Sequence, residues 1–167
     1  PHRCSSPREE KIDTILLMKI SKQLFTLILL FGITLTIGAQ EWDLYDWEVS
    51  LEEAQAEAQR EDKELFYYFA GSDWCGWCMR FKEEILSKEM FLSFASNYVV
   101  PVILDFPRER ELSEQMQRRN RELREEFQVE GFPTVVILSP DGEEKFRTGY
   151  RRGGVGAYVD HLLPHVR

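Results

Sequence analysis

Three runs of apolar residues have the length of buried β-strands. They are Leu65–Ala70, Tyr98–Leu104 and Val135–Leu138. Because proline has no N–H to donate, Pro101 predicts that the second run lies at a sheet edge, contains a bulge, or begins at the proline. Pro140-Asp141-Gly142 is a turn sequence, so the third run is expected to form a hairpin with a strand near Lys145–Thr148.

A shorter pattern precedes these runs. Apolar side chains alternate at Tyr45, Trp47 and Val49, which predicts a short first strand within Trp42–Val49. Ser50 then has the position of a helix N-cap, with Glu53 at the spacing of a capping box. The predicted helix has one apolar stripe, formed by Leu51, Ala54 and Ala58.

Two helices are predicted between the first and second apolar runs. Phe81 and Ile85 are four residues apart, on one face of a helix expected over Met79–Leu86. Ser87 is expected to cap a second helix. The apolar residues of that second helix are Phe91, Phe94 and Ala95.

A longer amphipathic segment, Pro107–Gln128, follows the second run. Its apolar stripe consists of Leu112, Met116, Leu123 and Phe127. One interpretation of its many arginines is a basic partner-binding segment, but interleaved glutamates nearly cancel their charge, so a solvated helix face is favoured. The arginines are Arg118, Arg119, Arg121 and Arg124, and the glutamates are Glu122, Glu125 and Glu126.

The alternation of strands and helices predicts an α/β fold with helices on both faces of one sheet. The chain has 167 residues, of which 43% are hydrophobic, and this supports one domain with a substantial core. Its formal charge is −8, and residues 40–167 alone carry −10. Such a surface repels phosphate backbones, so nucleic-acid binding is not expected.

The N-terminal residues have the pattern of a secretory signal. Lysines follow Met18, and Leu24–Ile37 is a mostly apolar run of 14 residues. We expect residues 18–39 to be a signal peptide cleaved after Ala39, residues 40–167 to be the domain, and residues 1–17 to be a non-native or over-extended N-terminus. An uncleaved membrane anchor is the alternative, although the run is shorter than the ~20 residues of a spanning helix. The expected location is periplasmic or secreted.

Two cysteines, Cys75 and Cys78, lie where a predicted strand passes into a predicted helix. A helix N-terminus favours an anion, so the first thiol is expected to ionise more readily than a free thiol. A thiolate with a second thiol three residues on is equipped for thiol–disulfide exchange. A disulfide that closes so short a loop adds little stability, so redox cycling is favoured over a static disulfide.

A zinc site is the other interpretation of a cysteine pair. Zinc requires four ligands, and the chain has no second C-x-x-C motif. His161 and His165, four residues apart, would have to complete the site. We therefore expect no metal, and no bound cofactor, because the cysteine pair itself carries the electrons.

Three motifs resemble the thioredoxin superfamily. Trp74-Cys75-Gly76-Trp77-Cys78 resembles its redox motif, Val129–Thr134 resembles its cis-proline loop, and Gly149–Gly154 is similar to the segment before its last helix. The resemblance covers Trp42 to Val166. It implies a thioredoxin-like α/β fold, with a central mixed β-sheet flanked by helices and a helical insertion before the cis-proline loop.

The resemblance also implies a function, namely a thiol–disulfide oxidoreductase that acts on protein cysteines. A monomer is expected. Cys75 would be the nucleophile and Cys78 the resolving thiol. Substrate-binding residues would be Trp74, Gly76, Trp77, Phe132, Pro133 and Thr134. The chain is also similar to the periplasmic reductase domain of transmembrane disulfide-reductase electron carriers, which favours a reductant with a membrane electron donor.

Two departures from thioredoxin leave the direction of electron flow open. The dipeptide between the cysteines is Gly-Trp instead of Gly-Pro, and Phe69 stands where thioredoxins have a buried carboxylate. Asp73, Glu83 and Glu84 are the nearest acids, and none is assigned as the proton acceptor. A disulfide oxidase or isomerase stays open as an alternative, as does a thioredoxin-fold binding or chaperone module with a non-catalytic cysteine pair.

Overall fold

The computed structural model describes residue 47 and residues 50–166. The described elements are helix α1 (Leu51–Glu61), strand β1 (Glu64–Ala70), helix α2 (Gly76–Phe81) with a π-helical continuation (Lys82–Leu86), helix α3 (Glu89–Tyr98) and strand β2 (Val99–Asp105). They continue with helix α4 (Glu114–Glu126), strands β3 (Thr134–Leu138) and β4 (Glu144–Thr148), helix α5 (Gly154–Leu162) and a 3-10 turn (Leu163–His165).

Some predictions fall outside these residues. The signal segment and the N-terminal residues before it lie outside the described part. Most of the predicted first strand also lies outside the described part. Its one described residue, Trp47, lies in a 3-10 turn and not in a strand. Its indole is buried and packs edge-on against Phe66, with ring centroids 6.2 Å apart. In the described part of the chain, no helix is long and apolar enough to cross a membrane.

The four described strands form one mixed sheet in the order β2-β1-β3-β4. Strand β1 pairs parallel with β2 and antiparallel with β3, and β3 pairs antiparallel with β4. The predicted closing hairpin is therefore confirmed. Pro101 lies in β2, which pairs on one side only among the described strands. The N–H that proline lacks is therefore not needed for a described strand on the outer side.

Both faces of the sheet are covered, as the alternation of elements predicts. Every residue of β1 is buried, and its alternate side chains enter two separate apolar clusters. Phe66 and Tyr68 pack with residues of α2, α3 and α5, whereas Tyr67 and Phe69 pack with residues of α1 and α4. The redox segment thus follows the most buried of the four described strands.

The predicted start of α1 is confirmed. The Ser50 Oγ accepts a hydrogen bond from the Glu53 N–H at 3.1 Å, which satisfies one of the free N–H groups at the helix N-terminus. Ala54 and Ala58 are buried against the sheet. Small side chains at these positions let the helix approach the strands closely.

The prediction for Ser87 is wrong. The helix that starts at Gly76 continues through a π-helical turn to Leu86, so Ser87 ends that helix and its Oγ donates to the Glu83 carbonyl oxygen at 3.3 Å. Helix α3 begins two residues later and has no side-chain cap. Its apolar residues Phe91, Phe94 and Ala95 are buried as predicted.

Helix α4 is shorter than the predicted amphipathic stripe. Ser113 caps it by accepting a hydrogen bond from the Met116 N–H at 3.2 Å, so Leu112 lies before the helix. Leu123 and Phe127 pack on the sheet as predicted. The one fully buried residue of the helix is polar: Asn120 donates to the Asp105 carbonyl oxygen at 2.8 Å.

Candidate active site

Cys75 and Cys78 are joined by a disulfide bond in the turn between β1 and α2. Cys75 is the N-cap residue of α2, and its Sγ accepts a hydrogen bond from the Cys78 N–H at 3.2 Å. Cys75 is 7% exposed and Cys78 is 2% exposed. The first sulfur is thus the more accessible one, and it lies at the positive end of the helix.

A buried tyrosine forms a hydrogen bond with the backbone of Cys78. The Tyr68 hydroxyl, on β1, donates to the Cys78 carbonyl oxygen at 3.3 Å. Burial raises the pKa of Tyr68 well above its usual value, with a smaller contribution from Asp105, so the hydroxyl stays protonated and remains a donor. The Tyr68 ring also packs edge-on against Phe81 of α2, at 5.5 Å between centroids.

Trp74 connects the redox turn to two other loops. Its Nε1 donates to the Phe106 carbonyl oxygen at 2.7 Å, and its ring packs edge-on against Phe132 at 5.9 Å. Gly71 makes room for this indole, because a Cβ at that position would lie 2.4 Å from it. The predicted binding residues Trp74 and Phe132 are therefore in contact.

Trp77 lies on a different part of this surface. Its side chain is 50% exposed, and its ring lies 5.5 Å from that of Tyr150. The Tyr150 hydroxyl donates to Glu84 Oε2 at 2.5 Å. The structure therefore adds the half-buried Tyr150, which the sequence did not assign to the site, to the aromatic surface at Trp77.

The peptide bond between Phe132 and Pro133 is cis. The Phe132 ring stacks on Phe106 at 5.0 Å, and the Thr134 hydroxyl donates to the Gly131 carbonyl oxygen at 2.8 Å. Gly149 approaches this loop closely, since a Cβ there would lie 2.7 Å from the Pro133 carbonyl oxygen. Gly76, in contrast, faces open space.

Asp105 is a buried carboxylate that the sequence did not assign to the site. Its Oδ1 accepts the N–H groups of Ser72 and Phe106, each at 2.9 Å. Its Oδ2 accepts the Ser72 hydroxyl at 2.6 Å and an Arg110 N–H at 3.0 Å. Asp105 therefore links the end of β2 to the turn that carries the cysteines.

The comparison with known proteins decides the family. The family model for a thioredoxin-like domain matches residues 51–154. The chain belongs to this thioredoxin-like family.

Relatives of the thioredoxin-like chain include two proteins of Chlamydia pneumoniae. The disulfide bond reductase DsbH is 35% identical over 116 residues, which are 70% of this chain and 69% of DsbH. The thioredoxin-related protein DsbJ is 26% identical over 151 residues, which are 89% of this chain but 43% of DsbJ. A solved structure of a DsbH oxidoreductase superposes with a TM-score of 0.68 at 32% identity, over 71% of this chain and 82% of that one.

The acids near the redox pair of this thioredoxin-like domain have other partners. Phe69, at the position of the thioredoxin carboxylate, packs against Phe127 on the opposite face of the sheet from Cys78. Asp73 accepts the backbone N–H groups of Arg108, Glu109 and Arg110, and these bonds, chiefly that of Arg108, lower its pKa. Glu84 contacts Tyr150 and Arg80.

The two histidines considered as zinc ligands both pack against the ring of Phe146. The Nε2 of His161 lies 3.1 Å from the Thr148 Oγ1, and the His165 ring stacks on Phe146 at 3.6 Å. Burial lowers the pKa of His161, as do Arg151 and His165. Among the described residues, no three His, Cys, Asp or Glu side chains are grouped to hold a metal ion.

Proposed function

We propose that this protein is an exported thiol–disulfide oxidoreductase that reduces disulfides of protein substrates, with Cys75 as nucleophile and Cys78 as resolving thiol. The general class follows from the thioredoxin-like family and from the Cys75–Cys78 pair. The reducing direction, the export and the roles of individual residues are the proposal.

The position of Cys75 is the observation that carries the proposal. Its Sγ is at the N-terminus of α2 and accepts a backbone N–H, and both features stabilise a thiolate more than a thiol. Cys78 is one helical turn further and nearly inaccessible. An outside disulfide therefore meets Cys75 first.

The reaction starts from the reduced pair. The Cys75 thiolate attacks one sulfur of the substrate disulfide, forms a mixed disulfide and releases the other substrate sulfur as a thiolate, which takes up a proton. Cys78 then loses its proton and attacks Cys75, which releases the second substrate thiol. In total, two electrons pass from the protein to the substrate, one proton comes from Cys78 and one from the solvent, and the protein ends with the Cys75–Cys78 disulfide that the structure contains.

The surface around Cys75 has the chemistry of a peptide-binding site. Trp74 is 37% exposed and Trp77 is 50% exposed, on either side of the first cysteine. Phe132 contacts Trp74, and the half-buried Pro133 and Thr134 follow it. We propose that these residues and Gly76 bind an extended substrate segment through apolar contacts and through backbone hydrogen bonds beside Pro133.

Two observations support the reducing direction and the export. The relative DsbH is described as a disulfide bond reductase and shares 35% identity with this chain. Residues 18–39 have the sequence pattern of a secretory signal. A membrane protein as electron donor would keep the pair reduced in an oxidising compartment.

The test is the reduction potential of the pair in the full chain carrying Cys4→Ser, so that Cys75 and Cys78 are its only thiols. Equilibration in graded dithiothreitol buffers is expected to give a value near that of thioredoxin, about −270 mV. A value between about −180 and −120 mV would instead assign an isomerase or oxidase. Cys75→Ser is expected to abolish the reduction of a protein disulfide, and Cys78→Ser to accumulate a mixed disulfide with it.

The exposed indole of Trp77 favours a second candidate, a binding or chaperone module in which the disulfide is incidental. In that case, the variants Cys75→Ser and Cys78→Ser would keep the function. Trp77→Ala or Phe132→Ala would abolish it. The two candidates are therefore separated by the same set of four variants.

A further inference from the structure

Arginine side chains lie over the aromatic rings that surround the redox pair. The guanidinium carbon of Arg108 is 4.0 Å from the centroid of the Trp74 ring, and that of Arg124 is 5.3 Å from the Phe132 centroid. These distances are typical of cation–π contacts. The proposed substrate surface thus carries two guanidinium groups over its aromatic rings, although the whole chain has a formal charge of −8.

A cavity of about 350 Å³ adjoins this surface, between the end of β2 and helix α4. Arg124 belongs to both, because its guanidinium also lies 5.7 Å from the Phe106 ring, which lines the cavity. Arg121 lines the cavity one helical turn before Arg124, and the buried Asn120 lies beside it. The cavity therefore opens next to the loop that contains the cis peptide bond.

The charges on the cavity wall favour an anion. The buried carboxylate of Asp105 is neutralised by Arg110 and accepts three further hydrogen bonds. In the part of the chain that the structure describes, Arg121 and Arg124 pair with no carboxylate, and Glu111 is the other acid of the wall. Arg124 uses its Nε–H for the Val129 carbonyl oxygen, which leaves the terminal N–H groups as the remaining donors of this guanidinium.

We propose that this cavity binds an acidic side chain of the substrate, so that the enzyme prefers disulfides whose cysteine lies a few residues from Asp or Glu. The inference rests on the proposed reductase function and adds its substrate class. Arg121 and Arg124 hold the carboxylate, while the apolar face of Trp74 and Phe132 contacts the residues beside the cysteine. The chemistry of the sulfur atoms is unchanged.

The experiment uses single-turnover oxidation of the reduced full chain carrying Cys4→Ser by disulfide-containing peptides, followed by tryptophan fluorescence. The peptides differ at one position, which carries Glu, Gln or Lys. In successive sets of peptides, this position lies one, two, three or four residues before or after the cysteine. At one or more positions, the Glu peptide is expected to react about 5-fold faster than the Gln peptide. This ratio corresponds to the free energy that one or two partly exposed ion pairs contribute. High salt is expected to reduce this preference.

Two variants and one control place the effect in the cavity. Arg121→Gln is expected to lower the preference for Glu, and the double variant with Arg124→Gln to abolish it. Arg118→Gln is the matched control, because Arg118 lies on the same helix outside the cavity wall and pairs with Glu114. Arg121→Gln alone keeps the test valid if the loss of the Arg124–Val129 bond unfolds the double variant.

The possible outcomes separate the inference from the function on which it rests. If all peptides oxidise the protein at equal rates at every position, or if Arg118→Gln lowers the preference as much as Arg121→Gln, the inference is wrong and the reductase function stands. If no peptide oxidises the protein, the reductase function fails, and the inference fails with it.

Discussion

Replacement of Asp105 by Asn removes one negative charge from beneath the redox turn and leaves the shape of the side chain nearly unchanged. The carboxylate is 2% exposed and accepts four hydrogen bonds. An amide oxygen at the Oδ1 position keeps the two backbone donors, Ser72 and Phe106. An amide nitrogen at the Oδ2 position then faces the Ser72 hydroxyl, which can rotate and accept, and Arg110, which cannot.

The expected loss of stability follows from these contacts. A hydrogen bond to a charged group contributes about 1.5–3 kcal/mol, and this is the contribution that Arg110 loses. The bond between the Ser72 hydroxyl and a neutral amide is weaker than its bond to the carboxylate by about 1 kcal/mol. Arg110 is partly exposed and recovers some hydration, which reduces the penalty. We therefore expect Asp105→Asn to lower the free energy of unfolding by about 2–4 kcal/mol, a large part of the total for a domain of this size.

Urea unfolding of the full chain in its oxidised state, followed by circular dichroism, measures this change. The midpoint is expected to fall by about 1–2 M, with an unchanged dependence of the free energy on urea concentration. Asp160→Asn is the control, because Asp160 is exposed on α5, and its effect is expected to stay within about 0.5 kcal/mol. A loss of less than 0.5 kcal/mol for Asp105→Asn would refute the view that this carboxylate holds the redox turn.

Three further predictions concern other contacts. Gly149→Ala places a Cβ 2.7 Å from the Pro133 carbonyl oxygen and is expected to cost about 1–3 kcal/mol in the same urea assay, whereas Gly76→Ala, with open space around the new methyl group, is expected to cost little. Asn120→Ala leaves a buried carbonyl of β2 without its donor, so a loss of about 1–3 kcal/mol is expected. Since burial lowers the pKa of His161, its neutral form is favoured in the folded state; its contribution to stability is present above pH ~6.5 and is lost as the pH falls through the lowered pKa. The Tm of the wild-type chain should therefore fall more between pH 7.5 and pH 5 than that of His161→Gln, and equal falls would contradict this.

The sequence predicted those features that depend on neighbouring residues. The apolar run of β1, the Ser50 cap and the position of the cysteines between a strand and a helix are all local, and the structure confirms them. The prediction for Ser87 was wrong because a serine can end one helix as readily as it begins the next. Which role it takes here depends on the π-helical turn that extends the first helix to Leu86.

Only the tertiary structure showed how the site is held together. Ser72 and Asp105 are 33 residues apart in the sequence, and Trp74 and Phe132 belong to different loops, so no local pattern indicates their contacts. The parallel pairing of β1 with β2 brings Ala70 and Asp105 side by side and thereby places the carboxylate beneath the redox turn. Periodicity and capping depend on a few adjacent residues and can be predicted from the sequence, whereas the partners of a buried charge depend on which strand ends the fold brings together.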